Sequence, residues 1–520
     1  MQIAHTLRRA KLLWGNDTAV LDGDLTLTYG QMAERVQRLA GALRELGVGD
    51  DDKVAVLMLN GYRYLELFYA VSWAGGVVVP LNIRLAPREI VHQVNEAECK
   101  VLVVDAQFAK MVPPHASQFE TISHVVFADA GPPPDGMLSY DDLLTTADAI
   151  ADAGRGGDDV FGIFYTGGTT GRAKGVMLTH ANIVANAQNS LLSNDTQQHD
   201  VYLHSAPMFH LADCSSTFGL TWIGGKHAFI PFFEPKSMLD AIQRFRVTRA
   251  AMVPAMLNMV INHPQFSDFD VSSLTSVGYG ASPIPMSLLK QGMSAFGCKF
   301  IQGYGMTELS PLVTVLPAED HVADGSDEEF QKLKSAGIPV HTAEVKVLDE
   351  NDEELPRGEI GQICARGPMV MKGYWKQPEA TAEALRNGWM HTGDAGYMDE
   401  DGYIFLVDRV KDMIVTGGEN VYSVEVENAL YAHPAVLEAA AIGVPSTEWG
   451  EAVHAVIVLK PDQEATEQEL IGHCREHIAG YKCPKSISFS AEELPKSGAG
   501  KILKRDLRQP FWGDQERQIN

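Results

Sequence analysis

The chain lacks the marks of several large protein classes. Its six cysteines, Cys99, Cys214, Cys298, Cys364, Cys474 and Cys483, are scattered, with no CxxC pair and no metal-ligand spacing. That pattern excludes a disulfide framework and a zinc module, and predicts reduced thiols in a cytoplasmic protein. Long hydrophobic runs are missing too. The longest, Leu67 to Leu81, is broken by Gly75-Gly76 and is too short for a bilayer; it reads as a buried helix end turning into a strand. Met1 to Asn16 carries charges but no apolar stretch before a small-residue cleavage site, so no signal peptide is expected. Positive charge is scarce, 42 Lys and Arg against 67 Asp and Glu, a formal net charge of -25. Such a surface repels polyphosphate backbones and argues against a nucleic-acid partner, while one locally positive pocket can still hold a nucleotide. There is no GxSxG for a serine hydrolase and no HExxH for a zinc enzyme.

What is present is a chain of 520 residues, 45% hydrophobic. That is too long for one ordinary core and suits a soluble protein of two or more domains. Thr28-Tyr29-Gly30-Gln31 has capping-box spacing, and Met32, Val36, Leu39, Leu43 and Leu46 follow at helical intervals. Val54 to Leu59 reads as a buried strand, Tyr62 to Ser72 as a helix, and Val77 to Leu81 and Lys100 to Asp105 as further strands. Strand, helix, strand in this order predicts an α/β fold of parallel sheets covered by helices. The last ~110 residues form a separate unit of the size that folds on its own core. There Glu425 to Ala432 reads as a helix, Leu437 to Val444 and Ala452 to Lys460 as strands, and Thr466 to Glu469 as the cap of a second helix. The expected architecture is a large N-terminal domain, 1–409, of helix-covered β-sheets and a small mobile α+β domain, 410–520, joined by the short charged segment Asp408-Arg409-Val410-Lys411-Asp412.

The sharpest chemical feature is Thr166-Gly167-Gly168-Thr169-Thr170-Gly171-Arg172-Ala173-Lys174, entered from the apolar strand Val160 to Tyr165. Glycines let backbone N–H groups turn inward, hydroxyls add donors, and Arg172 and Lys174 add charge, a combination suited to a polyphosphate. It is neither a Walker A loop, which needs GK[ST] at fixed spacing, nor a dinucleotide fingerprint.

With this loop the sequence resembles the adenylate-forming superfamily, which includes acyl-CoA synthetases, adenylation domains of peptide synthetases and beetle luciferases. Further matching segments stand in the family's order: Gly278 to Pro283, Gly303-Tyr304-Gly305-Met306-Thr307-Glu308, Trp389 to Asp394, Asp408 to Asp412, Gly417 to Asn420, Trp449-Gly450-Glu451 and Pro495 to Lys501. The resemblance spans nearly the whole chain and implies activation of a carboxylic acid by ATP, with Mg²⁺, to an acyl-adenylate, then transfer to coenzyme A. It implies that Thr166 to Lys174 hold the β- and γ-phosphates, that Thr307 meets the α-phosphate and that Glu308 ligates Mg²⁺. Asp394 and Arg409 would hold the ribose, and Gly280, Ala281, Ser282 and the Gly303 to Met306 segment the adenine. Lys501 would bridge carboxylate and α-phosphate in the first step. Lys411 would be the hinge about which the small domain turns to bring Gly417-Gly418-Glu419 to the site as a pantetheine channel. Lys482 is a further candidate for the CoA phosphates.

By the same resemblance the acyl pocket is lined by His210, in Ala206-Pro207-Met208-Phe209-His210, with Ala212, Asp213, Ser216, Val253 and Met256. Asp213 is expected to turn to solvent or to meet a polar group of the substrate; ordinary core packing is the plain alternative for Met256 and for Met259. Mostly small and apolar, the lining suits a hydrophobic acid, first a medium or long fatty acid. An aryl or cinnamate-type CoA ligase, an adenylating enzyme without CoA transfer and a non-catalytic nucleotide-binding protein stay open as alternatives, and so does a homodimer. Three positions depart from the commonest pattern: Gly167 stands for Ser, Ala173 for Pro and Ser423 for Pro. The first two predict a looser phosphate loop.

Overall fold

The computed structural model describes residues 1–166, 173–282, 284–322, 325–409, 412–416, 419–446, 449–496 and 502–512, with the backbone alone for Ser215, Asp327, Glu328, Arg409 and Glu419. The Thr28 capping box forms: its hydroxyl accepts from the Gln31 N–H, and the Gln31 side chain accepts from the Thr28 N–H. It starts the helix Tyr29–Glu45, which buries Met32, Val36, Leu39 and Leu43. Leu46 is the cap beyond its end and is half-buried. The long apolar run resolves as expected. Helix Tyr62–Trp73 is buried from Tyr64 onward, Gly75 takes φ +91, where only glycine is unstrained, and the chain enters strand Val77–Pro80.

Among the described residues four sheets form. One runs in the order Gly373–Tyr374, Lys174–Thr179, Val160–Thr166, Val77–Pro80, Lys53–Leu57, Cys99–Val104, His124–Phe127, Leu138–Ser139. Its central strands are parallel and buried on both faces, which is why Val54 to Leu57 and Val101 to Val104 read as unbroken apolar runs. A second, nine-stranded sheet places Leu312–Leu316, Lys299–Gly305, Ser276–Gly280, Arg249–Met252, Val201–His204 and Lys226–Phe229 side by side. From Lys299–Gly305 to Lys226–Phe229 these neighbours are parallel. A third sheet, Glu344–Leu348, Gly361–Arg366, Met390–Met398 and Ile404–Arg409, is antiparallel.

The fourth sheet lies wholly beyond residue 412, with helices Ser423–Tyr431 and Glu467–His477 and its own apolar cluster. Its two long strands, Val436–Ser446 and Gly450–Leu459, extend further than the sequence pattern suggested. The Thr466 capping box forms as expected.

Candidate functional site

Four adjacent parallel strands of the nine-stranded sheet deliver the predicted nucleotide and acyl residues at one edge. Their order is Lys299–Gly305, Ser276–Gly280, Arg249–Met252, Val201–His204. Beyond their carboxyl ends lie Met306, Thr307 and Glu308; Ala281 and Ser282; Val253 and Met256; and Ala206 to His210. The carboxyl edge of a parallel sheet is where loops converge and ligands bind. Two glycines allow the strands to end this closely. A Cβ on Gly280 would run into the carbonyl oxygen of Gly303, and one on Gly305 into that of Pro311. Ala281 adopts φ +65, a left-handed turn out of the strand.

Glu308 sits in the short turn Thr307–Leu309, 6% exposed. The Tyr374 hydroxyl donates to its Oε1 at 2.8 Å. Burial and the nearby Glu308 charge hold the Tyr374 phenol far above its usual range, so it stays a donor. Lys174 places its ammonium 4.6 Å from the centre of the Tyr374 ring, a cation–π contact. Lys174 in turn pairs with Thr166 across an antiparallel hairpin, which brackets the predicted phosphate loop. Tyr374 therefore links the basic end of that loop to the acidic residue proposed for the metal. Asp394, 8% exposed, accepts from the Tyr304 hydroxyl at 2.7 Å, and its N–H donates to Thr392 Oγ1. Its strand neighbour in register is Arg409.

The Ala206 to His210 turn is held by Asn60. The Asn60 amide donates to the carbonyl of Ala206 at 2.8 Å and accepts from the Met208 N–H at 2.8 Å. His210 caps helix Leu211–Ile223, its Nδ1 accepting from the Ala212 N–H, so the ring proton of the neutral imidazole lies on Nε2. Asp213 corrects the sequence expectation. It is 0% exposed, turned to neither solvent nor pocket, and its Oδ2 accepts from His204 Nδ1 at 2.6 Å. The Ser216 hydroxyl bonds Tyr202. Met256, a candidate for the acyl pocket, packs in the apolar cluster under the sheet, and Met259 is largely exposed.

Gly167, Gly168, Thr169, Thr170, Gly171, Lys411, Gly417, Gly418 and Lys501 lie outside the described residues, as do the side chains of Arg409 and Glu419. The segment with Lys501 is bracketed by the bridge between Lys496 and Ile502. Lys496 pairs with Glu438 and Glu493 on one side, and Lys504 with Glu427 at 2.7 Å on the other. Lys482, a candidate for CoA phosphates, is bound by both oxygens of Glu425 at 2.7 Å, so its charge is already neutralised. Ser423, the departure from proline, donates through N–H and Oγ to the Asp408 carboxylate at 2.5 and 2.9 Å, and Lys504 also reaches its hydroxyl. A proline there could make neither bond.

Two family models match the chain. Residues 7–375 match the family described as AMP-binding enzyme, and residues 425–501 match the AMP-binding enzyme C-terminal domain. The chain belongs to the AMP-binding enzyme family. Among its relatives are a feruloyl-CoA synthase of Amycolatopsis, 41% identical over 97% of this chain and 98% of that protein, and a long-chain-fatty-acid–CoA ligase of Escherichia coli, 34% identical over 94% and 90%. The anthranilate CoA ligase AuaEII, solved with anthranoyl-AMP, superposes with a TM-score of 0.90 at 27% identity, covering 98% of this chain and 97% of that one. The expected fold, helix-covered sheets in a large N-terminal part and a smaller C-terminal unit, is that of this AMP-binding enzyme. Among its described residues no helix is long and apolar enough to cross a membrane.

Proposed function

We propose that the protein is an acid–CoA ligase that activates a hydrophobic carboxylic acid with ATP and passes the acyl group to coenzyme A. The observation that supports the reading is that Thr307, Glu308 and the Ala206 to His210 turn follow strands of one sheet at its carboxyl edge, where Tyr304 bonds Asp394 of the third sheet. A carboxylate is a poor acyl donor because its leaving group would be oxide. In the first step one of its oxygens attacks the α-phosphorus of ATP, the bond to pyrophosphate breaks, and a mixed anhydride with AMP remains. Two anions must meet, so catalysis depends on positive charge and hydrogen bonds that strengthen as the transition state forms.

In this reading Thr166 to Lys174 grip the β- and γ-phosphates, Thr307 donates to the α-phosphate, and Lys501 bridges carboxylate and phosphate. Asp394 accepts the ribose hydroxyls, Arg409 assists it, and the Gly280 to Ser282 and Gly303 to Met306 walls enclose the base. The oxygen chemistry of Glu308, oriented by Tyr374, fits a hard divalent cation, and bound Mg²⁺ would supply charge neutralisation at the phosphates. In the second step the CoA sulfur attacks the acyl carbon, the bond to AMP breaks, and the thiol proton passes to solvent. Access for that thiol comes from turning domain 410–520 against domain 1–409 about Lys411, which brings Gly417, Gly418 and Glu419 to the site.

An aryl propenoate is the favoured acid, because identity to the feruloyl-CoA synthase is 41% against 34% for the fatty-acid ligase. A medium or long fatty acid is the second reading, supported by the 34% identity to the long-chain-fatty-acid–CoA ligase. The test is pyrophosphate release over a panel of aryl propenoates, straight-chain fatty acids and amino acids, each with and without CoA. A ligase releases pyrophosphate and accumulates a thioester only when acid and CoA are both present. Pyrophosphate without any thioester would leave adenylation alone, and neither product with any acid would refute the reading.

A further inference from the structure

Beneath the acyl side of the site, the sheet carries a face unlike an ordinary α/β core. Tyr202 pairs in register with His227, and His204 with Phe229, on neighbouring parallel strands. Residues two apart share a face, so two histidines and two aromatic rings stand together where aliphatic side chains usually pack. Helix Leu211–Ile223 covers them and bonds to them at two positions, Asp213 and Thr221, while the hydroxyl of Thr217 between these has no hydrogen-bond partner among the described residues. Asp213, Thr217 and Thr221 recur every fourth residue, all fully buried. Hydrogen bonds join the two surfaces in a chain. Asp213 Oδ2 meets His204 Nδ1 at 2.6 Å, His204 Nε2 meets His227 Nδ1 at 2.9 Å, and His227 Nε2 meets Thr221 Oγ1 at 3.0 Å. Burial and the adjacent His204 hold His227 neutral. Nearby, the Tyr69 hydroxyl bonds Thr6.

Asp213 and Thr221 lie in the first and last turns of the helix, about 12 Å apart along its axis. Apolar packing alone would let a helix settle in several offsets, whereas directed bonds at both ends admit one. A shift by one turn would take Asp213 from His204 Nδ1 and Thr221 from His227 Nε2, while the His204–His227 bond within the sheet stays, and a buried carboxylate without its bond costs far more than an apolar mismatch.

We propose that this buried Asp213–His204–His227–Thr221 chain is a positioning device for acid selection. It fixes the register of the helix on the sheet, and so fixes where His210, Leu211 and Ala212 meet the acyl group. His204 and Asp213 thereby act on the choice of acid without touching it. The inference rests on the reading that the Ala206 to His210 turn borders the acyl group.

Three proteins test it. Asp213→Asn keeps the shape and one acceptor for the His204 N–H. Asp213→Leu breaks the chain. The triple variant Asp213→Leu, His204→Leu, His227→Leu removes all three polar groups together, so it leaves no buried ionisable member of the chain without its partner. Two readouts are taken, hydrogen exchange of peptide 205–223 against peptide 436–446, and kcat/KM for ferulate against dodecanoate with the KM for ATP. In the triple variant exchange in 205–223 rises by about tenfold or more, and the ratio of the two acids shifts by about tenfold or more. The KM for ATP stays put, and Asp213→Asn remains close to the parent. The proposal is overturned if exchange in 205–223 is unchanged, or if exchange rises while every acid and ATP are affected equally. A parent protein that activates no acid would sink the ligase reading, and would overturn this proposal with it only if the exchange arm also failed.

Discussion

Replacing Tyr374 by Phe isolates one atom whose role the structure defines. The hydroxyl donates to Glu308 Oε1 at 2.8 Å in surroundings where Glu308 is 6% exposed. The ring stays, and so does the contact with the Lys174 ammonium. A hydrogen bond to a buried charged group is worth about 1.5–3 kcal/mol, and each 1.4 kcal/mol is about tenfold. Loss of the bond removes one contact that orients the Glu308 carboxylate, so the deficit falls on whatever Glu308 orients. If Glu308 holds the metal that accompanies ATP, kcat/KM for ATP in acid-dependent pyrophosphate exchange falls roughly ten- to a hundredfold. The Mg²⁺ concentration giving half-maximal rate rises in parallel, while the KM for the acid stays within about twofold. Titrating Mg²⁺ at fixed ATP reads this directly. An unchanged Mg²⁺ dependence with a normal rate would show that the Tyr374–Glu308 bond serves packing alone.

Gly305→Ala drives a methyl group into the Pro311 backbone carbonyl and must push the paired strands apart, so both calorimetric ATP binding and Tm are expected to fall, and a parent-like Tm with normal ATP binding would contradict the close approach. His180, buried against Phe161, is pushed down to about 4 from 6.5 by burial. The unfolded chain therefore takes up the proton first, and stability complete above about pH 6.5 is lost as pH falls toward about 4, by up to about 3 kcal/mol. Denaturant midpoints at about pH 7.5 and about pH 5 should differ less in His180→Asn than in the parent, and an equal difference would assign the acid sensitivity elsewhere. Ser423→Ala removes the Oγ bond to Asp408 but keeps the N–H bond, and Ser423→Pro removes both. Proteolysis of the segment around residue 410 should rise in that order, and a proline variant as resistant as the parent would contradict the latch.

Periodicity made the local elements legible. The Thr28 and Thr466 capping boxes and the helix–Gly75–strand run came from residue types whose preferences are local. The nucleotide candidates were legible as segments because glycine and hydroxyl clusters are distinctive, and the sheet order explains why they meet. What the sequence hid was pairing at long range. Tyr374 and Glu308 are 66 positions apart, and nothing in Gly373-Tyr374-Trp375 signals an acidic partner. Asp213 is the instructive error. An acidic residue on an apolar helix suggests solvent or ligand, yet its partner His204 comes from a strand that reads as wholly buried. The clue lay in the spacing of Asp213 and Thr221, eight residues apart on one side of the helix, each of which bonds a histidine of the sheet face. Ser423 misled in the same way. Read as the loss of a proline, it is the gain of a hydrogen-bonded tie to Asp408 and Lys504.

Lys501 and Gly418 put the central claim, one active centre served in turn by two faces of the small domain, to its most direct test. Each half-reaction is measured separately in Lys501→Ala and Gly418→Leu, as acyl-AMP formation from acid and ATP, and as thioester formation from supplied acyl-AMP and CoA. The account predicts opposite defects: Lys501→Ala loses the first by several orders of magnitude and keeps the second, and Gly418→Leu does the reverse. Equal losses in both half-reactions for either protein would contradict it.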